Sequence, residues 1–104
     1  MKVLSEYAIA RSGDKGCDAN IGVIARRPED YQFLKEQLTA ERVQAFFAPL
    51  GVTRTIRYEL PNLYAFNFVL KGVLGEGGSR SLRSDAQGKA LGQALLFLRM
   101  KAEG

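Results

Sequence analysis

Two stretches of alternating polar and apolar residues, TRTIRYEL and YAFNFVL, stand on either side of a turn signal at Pro61 and Asn62. Alternation with a period of two is typical of a β-strand that has one face in water. Two such runs joined by so short a turn predict an antiparallel hairpin. Its aromatic face is the obvious surface for helices to cover, so the hairpin predicts helices packed on a sheet.

Each strand of this hairpin is predicted to have two unlike faces. In the first strand the apolar set alternates with a polar set that we expect to face water: Ile56, Tyr58 and Leu60 against Thr55, Arg57 and Glu59. In the second strand the apolar set is Tyr64, Phe66, Phe68 and Leu70. Aromatic residues on a sheet can stack on RNA bases, but we expect these to form core beneath the helices.

The segments before the hairpin predict two further strands and two helices. VLSEYAIA reads as a half-buried strand, and NIGVIAR, apolar on both faces, as a central strand covered on both sides or nearly so. Pro28, followed by two acidic residues, predicts the start of a helix. Thr39 is suited to cap a second helix, which Pro49 and Gly51 end. The apolar side of that helix comprises Val43, Phe46, Phe47 and Leu50.

A last helix is predicted after a glycine- and arginine-rich segment. Ser84 and Gln87 form a capping-box pattern, and the helix is expected to run through DAQGKALGQALLFLRM. Gly88 and Gly92 lie one turn apart in it. Because glycine destabilises a helix by about 1 kcal/mol per position, the pair predicts close approach of the helix backbone to a sheet or partner.

The resulting order β-β-α-α-β-β-α predicts an α+β fold, a ferredoxin-like two-layer sandwich with helices on one face of a mainly antiparallel four-stranded sheet. The 104 residues are enough for one core, so we expect a single domain over residues 1–104.

Composition excludes several classes of site. The sequence contains no histidine, which removes Ser-His-Asp and Cys-His nucleophiles and the usual zinc and iron ligands. We expect no metal and no cofactor. The net charge is +4, but the arginines are spread along the chain rather than forming the dense block of a nucleic-acid-binding protein. With one cysteine, no apolar run long enough to cross a membrane and no signal-peptide pattern, we expect a cytoplasmic protein without membrane association.

The segment RSGDKGCDAN, Arg11 to Asn20, is predicted to be a polar loop between the first two strands. Glycines at positive φ could direct backbone N–H groups at one point, and nearby cations would strengthen the attraction for an anion. The residues that we assign to this site are Arg11, Ser12, Gly13, Asp14, Lys15, Gly16 and Asn20. Equally, Asp14 and Asp18 could pair with Arg11 and Lys15 and leave a chemically idle turn.

A second polar segment, GEGGSRSLRS, leads into the last helix and contributes Ser81 and Arg83 to the predicted site. Free N–H groups at a helix start, together with arginines, favour anions. If the two segments meet, Arg11, Lys15, Arg80 and Arg83 converge on a phosphate or carboxylate. Cys17 is interpreted as a loop filler, because Asp18 beside it would raise rather than lower the pKa of its thiol.

Three long motifs, ARSGDKGCDANIGVIAR, LPNLYAFNFVL and GGSRSLRSDAQGKALGQALL, resemble the small ferredoxin-fold domain of the AtuA-like family, named for acyclic terpene utilisation. The resemblance spans nearly the whole chain. It implies an association with the breakdown of terpenoid and other branched acids as CoA thioesters. It also implies a larger AtuA-type protein as partner, because the domain often follows a larger domain and also occurs alone. Residues matching the family pattern are Arg11, Ser12, Gly13, Asp14, Lys15, Gly16, Asn20, Ser81, Arg83, Asp85, Gln87 and Lys89.

Three functional hypotheses follow. In the first, the chain is an accessory subunit of a larger AtuA-type protein and binds an acyl-CoA or carboxylate between its two polar segments. In the second, it is a homo-oligomeric interaction domain without a ligand, assembled through sheet edges and the glycine face of its last helix. In the third, it is a small histidine-free lyase or isomerase, with Asp14 or Asp18 as base and Lys15 or Arg83 holding a carboxylate or enolate.

Overall fold

The computed structural model describes residues 2–16, 18–73 and 89–101, with residues 14, 15 and 89 as backbone only. In this part of the chain four strands form one sheet: β1 (Ala8–Lys15), β2 (Asp18–Ala25), β3 (Arg54–Leu60) and β4 (Ala65–Lys71). Their spatial order is β1-β2-β4-β3, and every neighbouring pair is antiparallel. The predicted α+β, ferredoxin-like class is confirmed.

Two helices connect the strand pairs. A 3-10 turn over Pro28–Asp30 leads into α1 (Tyr31–Gln37), and α2 (Ala40–Phe47) follows almost at once. The predicted cap is present, since the Arg42 N–H donates to the Thr39 hydroxyl oxygen at 3.1 Å. Gly51, with φ of +85°, ends this helical region where the sequence predicted.

The third helix of the described residues, α3 (Lys89–Leu95), ends earlier than predicted. The expected helix ran to Met100, but a turn follows Leu95, and Arg99 then forms an isolated antiparallel bridge with Val3. After the helix, the backbone oxygens of Leu96 and Leu98 accept hydrogen bonds from the N–H groups of Ser5 and Leu4. A continued helix would leave these two N–H groups without those acceptors. The predicted capping box and Gly88 lie outside the described residues.

The helices cover one face of the sheet, and the core lies between the two layers. The predicted stripe of α2 is confirmed, with Val43 and Phe47 almost fully buried. From the sheet, Phe66, Phe68 and Leu70 are fully buried, as predicted. The prediction was wrong for Tyr64, which lies in the turn before β4 with positive φ and is 45% exposed. The Tyr31 ring stacks on Phe66, with ring centroids 4.8 Å apart.

The faces of β3 are the reverse of those expected. Arg57 and not Ile56 lies toward the helices, where its Nη1 donates to the backbone oxygens of Lys35 and Leu38 at 2.8 Å each. The guanidinium also lies over the Phe66 ring, 5.4 Å from its centroid. These contacts explain the reversal, because a long cationic side chain can cross apolar surface and bind the last carbonyls of a helix.

Two predictions about the first strands also need correction. The segment Leu4–Glu6 is a 3-10 helix, and β1 begins only at Ala8. Strand β2 is central, but the described residues cover only one of its faces: Ile21 and Val23 are fully buried, whereas Ile24 is 40% exposed. None of the described helices combines the length and apolar character needed to cross a bilayer.

Candidate functional site

The first polar segment is strand and not loop. Strands β1 and β2 pair as far as Lys15 opposite Asp18, so only residues 16 and 17 connect them. Gly16 has φ of +65°, which suits a tight hairpin turn, but Gly13 lies within β1 opposite Asn20 and does not have positive φ. The predicted nest built on both glycines is therefore wrong, because ladder pairing with β2 keeps Gly13 extended.

Arg11 and Ser12 lie on opposite faces of β1. The Ser12 hydroxyl faces the helical layer and accepts a hydrogen bond from the Gly92 N–H at 2.9 Å. Arg11 lies on the other face, where it is exposed, and among the described residues its guanidinium has no hydrogen-bond or ion-pair partner. Arg11 can therefore bind a ligand that approaches the uncovered face, which Ser12 cannot reach from its side.

The remaining predicted site residues divide between the described and the undescribed parts of the chain. Asn20 shares the uncovered face with Arg11 and donates from Nδ2 to the Asn67 Oδ1 at 3.4 Å. Asp14 and Lys15 occupy the last positions of β1. Arg80, Ser81 and Arg83 lie outside the described residues, so their assignment to the site stays a prediction. Cys17, interpreted as a loop filler, also lies outside them.

Helix α3 runs antiparallel to β1. Gly92 contacts Ser12, and farther along the chain the backbone oxygens of Leu96 and Leu98 accept hydrogen bonds from the N–H groups of Ser5 and Leu4. The start of α3 therefore lies toward the end of β1 that carries the hairpin turn. The predicted close approach at Gly92 is confirmed, since an added Cβ would lie 3.1 Å from the Ser12 hydroxyl oxygen.

We call the side of the sheet away from the helices the open face; its residues can be followed in rows across the strands. The row at the turn end is charged and comprises Lys15, Asp18, Lys71 and Arg54. Two rows farther on stand Arg11, Gly22, Asn67 and Tyr58. The last row is apolar: Ile9, Ile24, Ala65 and Leu60. The open face thus changes from charged to apolar along the strands.

Asp18 anchors the charged end of the open face. Its carboxylate accepts hydrogen bonds from the Gly72 N–H at 2.9 Å and from Lys71 Nζ at 3.2 Å. The Gly72 hydrogen bond and then the Lys71 interaction lower the pKa of Asp18 below its ordinary value. A carboxylate held in this way is a weaker base, which counts against Asp18 as a proton-abstracting group.

The apolar end of the open face forms a groove that the sequence interpretation missed. Its lining residues come from β2, β3, β4 and the turn between the last two: Gly22, Ile24, Tyr58, Leu60, Leu63, Ala65, Phe66 and Asn67. The signal was present in the alternation of Ile56, Tyr58 and Leu60, which we assigned to the covered face. Among the described residues, no three His, Cys, Asp or Glu side chains lie together as a metal site would require.

Comparison with known proteins agrees with this fold. A family model, the AtuA ferredoxin-like domain, matches residues 2–101. No curated protein and no solved structure matches the chain. Because the family match extends over nearly every residue, the chain belongs to the AtuA ferredoxin-like domain family.

Proposed function

We propose that this chain is a cytoplasmic accessory subunit of a larger AtuA-type protein, in the breakdown of branched or terpenoid acids as CoA thioesters. Its role is to bind an anion rather than to catalyse a reaction. The observation that carries the proposal is the position of Arg11, a residue of the family motif that is exposed on the open face and has no partner among the described residues. An unpaired arginine there does little for folding and is available to an anionic ligand.

The proposed site joins the open face to the segment that precedes α3. Arg11, Gly13 and Asn20 lie on the open face in neighbouring rows, and Lys15 follows at the turn end. Ser81 and Arg83 stay in the proposed site as residues of the polar segment that precedes α3; α3 itself packs on the helix-facing side, where Gly92 contacts Ser12. An acyl-CoA or a carboxylate matches such a set of donors.

The chemistry of the described residues favours binding over catalysis. The sequence has no histidine, and the Asp18 carboxylate is already engaged by Gly72 and Lys71. The second candidate function, a homo-oligomeric interaction domain, is favoured by the exposed apolar row of the open face. Ile9, Ile24 and Leu60 there are each about 40% exposed.

A capture experiment tests the accessory role. The tagged chain is mixed with the larger AtuA-type protein of the same organism and analysed by gel filtration with light scattering. We expect a complex of defined stoichiometry that contains both chains. Self-association of this chain without any co-elution would contradict the accessory role and support the interaction domain instead.

A titration tests the anion site. Binding of coenzyme A and of a short carboxylate is measured calorimetrically at two salt concentrations, with weaker binding expected at the higher one. We expect Arg11→Ala and Arg83→Ala each to weaken binding. Arg99→Ala is the matched control, because Arg99 is exposed and follows α3 in the helical layer. Equal affinity of the wild type and the first two variants would contradict the site.

A further inference from the structure

Gly22 lies in the middle of the central strand β2, where neither its backbone conformation nor close packing of the described residues requires a glycine. Its φ is not positive, so its conformation does not require glycine. Among the described residues, the atom nearest to an added Cβ would be the backbone oxygen of Arg11 at 3.9 Å, whereas at Gly92 the Cβ would lie 3.1 to 3.3 Å from Ser12 and Arg11. Glycine weakens a strand interior and often marks a place where another molecule approaches the backbone. Because Gly22 has no side chain, it leaves a space on the open face.

This space is the floor of the apolar groove. Ile24, Leu60 and Leu63 form its walls, with exposed fractions of 40%, 40% and 64%. The groove has a volume of about 750 Å³. That volume lies within the range of about 300–1,000 Å³ that is usual for small-molecule sites, and such sites combine apolar walls with a few polar groups.

Two side chains with N–H groups that have no acceptor among the described residues flank Gly22. Arg11 on β1 and Asn67 on β4 stand directly opposite Gly22, one on each side. The Asn67 carbonyl oxygen accepts from Asn20, while its amide nitrogen has no acceptor among the described residues. Strands lie about 4.8 Å apart, so the two side chains bracket a gap of about 10 Å between their backbones. A carboxylate above Gly22 can accept hydrogen bonds from both.

We infer that the open face binds an acyl chain with an anionic head group. The chain lies in the groove between Ile24, Leu60 and Leu63, and the head group lies over Gly22 between Arg11 and Asn67. The free acid carries its charge directly at the end of the acyl chain and fits both parts of this site. Its CoA thioester shares the acyl chain but carries its negative charge on the phosphates of the coenzyme. The inference rests on the proposed function only through Arg11; the groove and Gly22 are independent of it.

Charge favours this occupant over a second copy of the chain. The unpaired charged side chains described on the open face are Arg11 and Arg54, and both are cations. In two copies packed face to face, the acidic residue of this face, Asp18, is already paired with Lys71 and is not available to either arginine, whereas an anionic head group offers a free opposite charge. The concave apolar groove beside the cation fits a single chain with one charged end.

Gly22→Val is the sharpest variant for testing the groove. Valine fills the floor while suiting a strand, and the structure has room for its Cβ. A medium-chain carboxylate is titrated into the intact protein by calorimetry, and thermal unfolding checks that each variant is folded. We expect saturable binding by the wild type and a loss of about tenfold or more in Gly22→Val. Thr55→Val is the matched control, because it introduces valine on the opposite side of the sheet.

Further titrations measure the contributions of the acyl chain and of the charged head group separately. The methyl ester of the same acid keeps the chain but loses the charge, and acetate keeps the charge but loses the chain; we expect both to bind more weakly. Arg11→Ala should weaken acid binding about tenfold and leave ester binding unchanged. Leu63→Gln changes an exposed wall residue and should weaken binding of the acid and the ester alike, even if Gly22→Val does not fold. Titration of the CoA thioester shows which source of the acyl chain binds more tightly.

The outcomes separate this inference from the proposed function. If coenzyme A and acetate bind through Arg11 but the acyl chain adds no affinity and Gly22→Val binds normally, the groove inference is wrong and the anion site stands. If the acid and its ester bind equally and Arg11→Ala has no effect, the anionic head group is wrong. If light scattering shows a dimer that Gly22→Val dissociates, with no saturable ligand binding, the occupant is a second copy and the inference falls.

Discussion

The two faces of the sheet carry similar numbers of apolar side chains and use them differently. On the helix-facing side, Phe66, Phe68 and Leu70 are fully buried, and even the charged Arg57 is held by backbone oxygens. On the open face, Ile24 and Leu60 remain about 40% exposed and Arg11 has no partner among the described residues. The apolar and charged side chains of the helix-facing side find their partners within the fold. On the open face, apolar surface stays exposed and Arg11 stays unpaired among the described residues, so both are available to a binding partner.

This contrast separates residues kept for stability from residues kept for recognition. Removing a side chain whose hydrogen bonds and packing are made within the fold lowers the free energy of unfolding. Changing an exposed side chain that contacts only a ligand has little effect on it. Matched substitutions on the two faces should therefore differ in their effect on the free energy of unfolding, and equal effects would break the comparison.

The largest difference is expected between the two arginines. Arg57→Ala removes charge-assisted hydrogen bonds to two carbonyls near the end of α1 and the packing against Phe66. We expect it to lower the free energy of unfolding by about 3 kcal/mol. Arg11→Ala on the open face should change it by less than about 0.5 kcal/mol. Urea denaturation of both variants measures the difference, and similar losses would show that Arg11 is also structural.

The next difference is expected between two glycines. In Gly92→Val the new side chain meets the Arg11 backbone and Ser12 at 3.1 to 3.3 Å, and we expect a loss of about 2 kcal/mol from overpacking. Gly22→Val should leave stability unchanged or raise it by up to about 1 kcal/mol, because valine suits a strand and meets nothing closer than 3.9 Å. Denaturation midpoints test the sign, and destabilisation by both would show that the floor of the groove is packed.

Much of the helix-facing side could be predicted because its signals are local. The Thr39 cap, the Val43 and Phe47 stripe and the turn at Pro61 and Asn62 each depend on residues within a few positions of one another. Phe66 and Phe68 are so apolar that the core is the natural place for them. Such signals survive because tertiary packing agrees with local preference.

The open face could not be predicted because alternation defines two faces of a strand without saying which one is covered. In β3 the apolar set Ile56, Tyr58 and Leu60 was the natural core face, but contacts of Arg57 with α1 reverse it. In β1, the residues around Gly13 favour turns, yet pairing with β2 extends the strand to Lys15. The error in β3 arises from a partner distant in sequence. The error in β1 is local, because Gly13 pairs with Asn20 only seven residues later and this pairing outweighs the turn preference of the residues around it.

A smaller effect on the free energy of unfolding is expected at Thr55, a residue of β3 on the helix-facing side. The Thr55 hydroxyl is buried and has no hydrogen-bond partner in the part of the chain that the structure describes, whereas the Thr53 hydroxyl donates to the Lys71 backbone oxygen at 3.1 Å. Thr55→Val should raise the free energy of unfolding by about 1 kcal/mol, because it removes an unsatisfied polar group at nearly constant volume. Thr53→Val is the control and should lower it by about 0.5 to 1 kcal/mol. Thermal unfolding compares them, and a loss in both would indicate that Thr55 gains a partner.

The smallest effect is expected at the charged end of the open face and depends on pH. The hydrogen bond from Gly72 and the interaction with Lys71 lower the pKa of Asp18, so its ionised form stabilises the folded state. This contribution is complete above about pH 4, the ordinary range of an aspartate, and is lost as the pH falls through the lowered pKa. Because Asp18 is one-third exposed, Asp18→Asn should cost about 0.5 kcal/mol at neutral pH.

The difference between wild type and Asp18→Asn should therefore shrink as urea denaturation is repeated at falling pH, and it should close once the pH has fallen below the lowered pKa of Asp18. Glu29→Gln is the matched control, since its exposed carboxylate lies 3.9 Å from an exposed guanidinium and should contribute little at any pH. A gap for Asp18→Asn that does not change with pH would mean that the side chain acts by packing and amide-like hydrogen bonding. In that case charge would not hold β2 to β4 at this end, and the open face would be anchored by its backbone ladder alone.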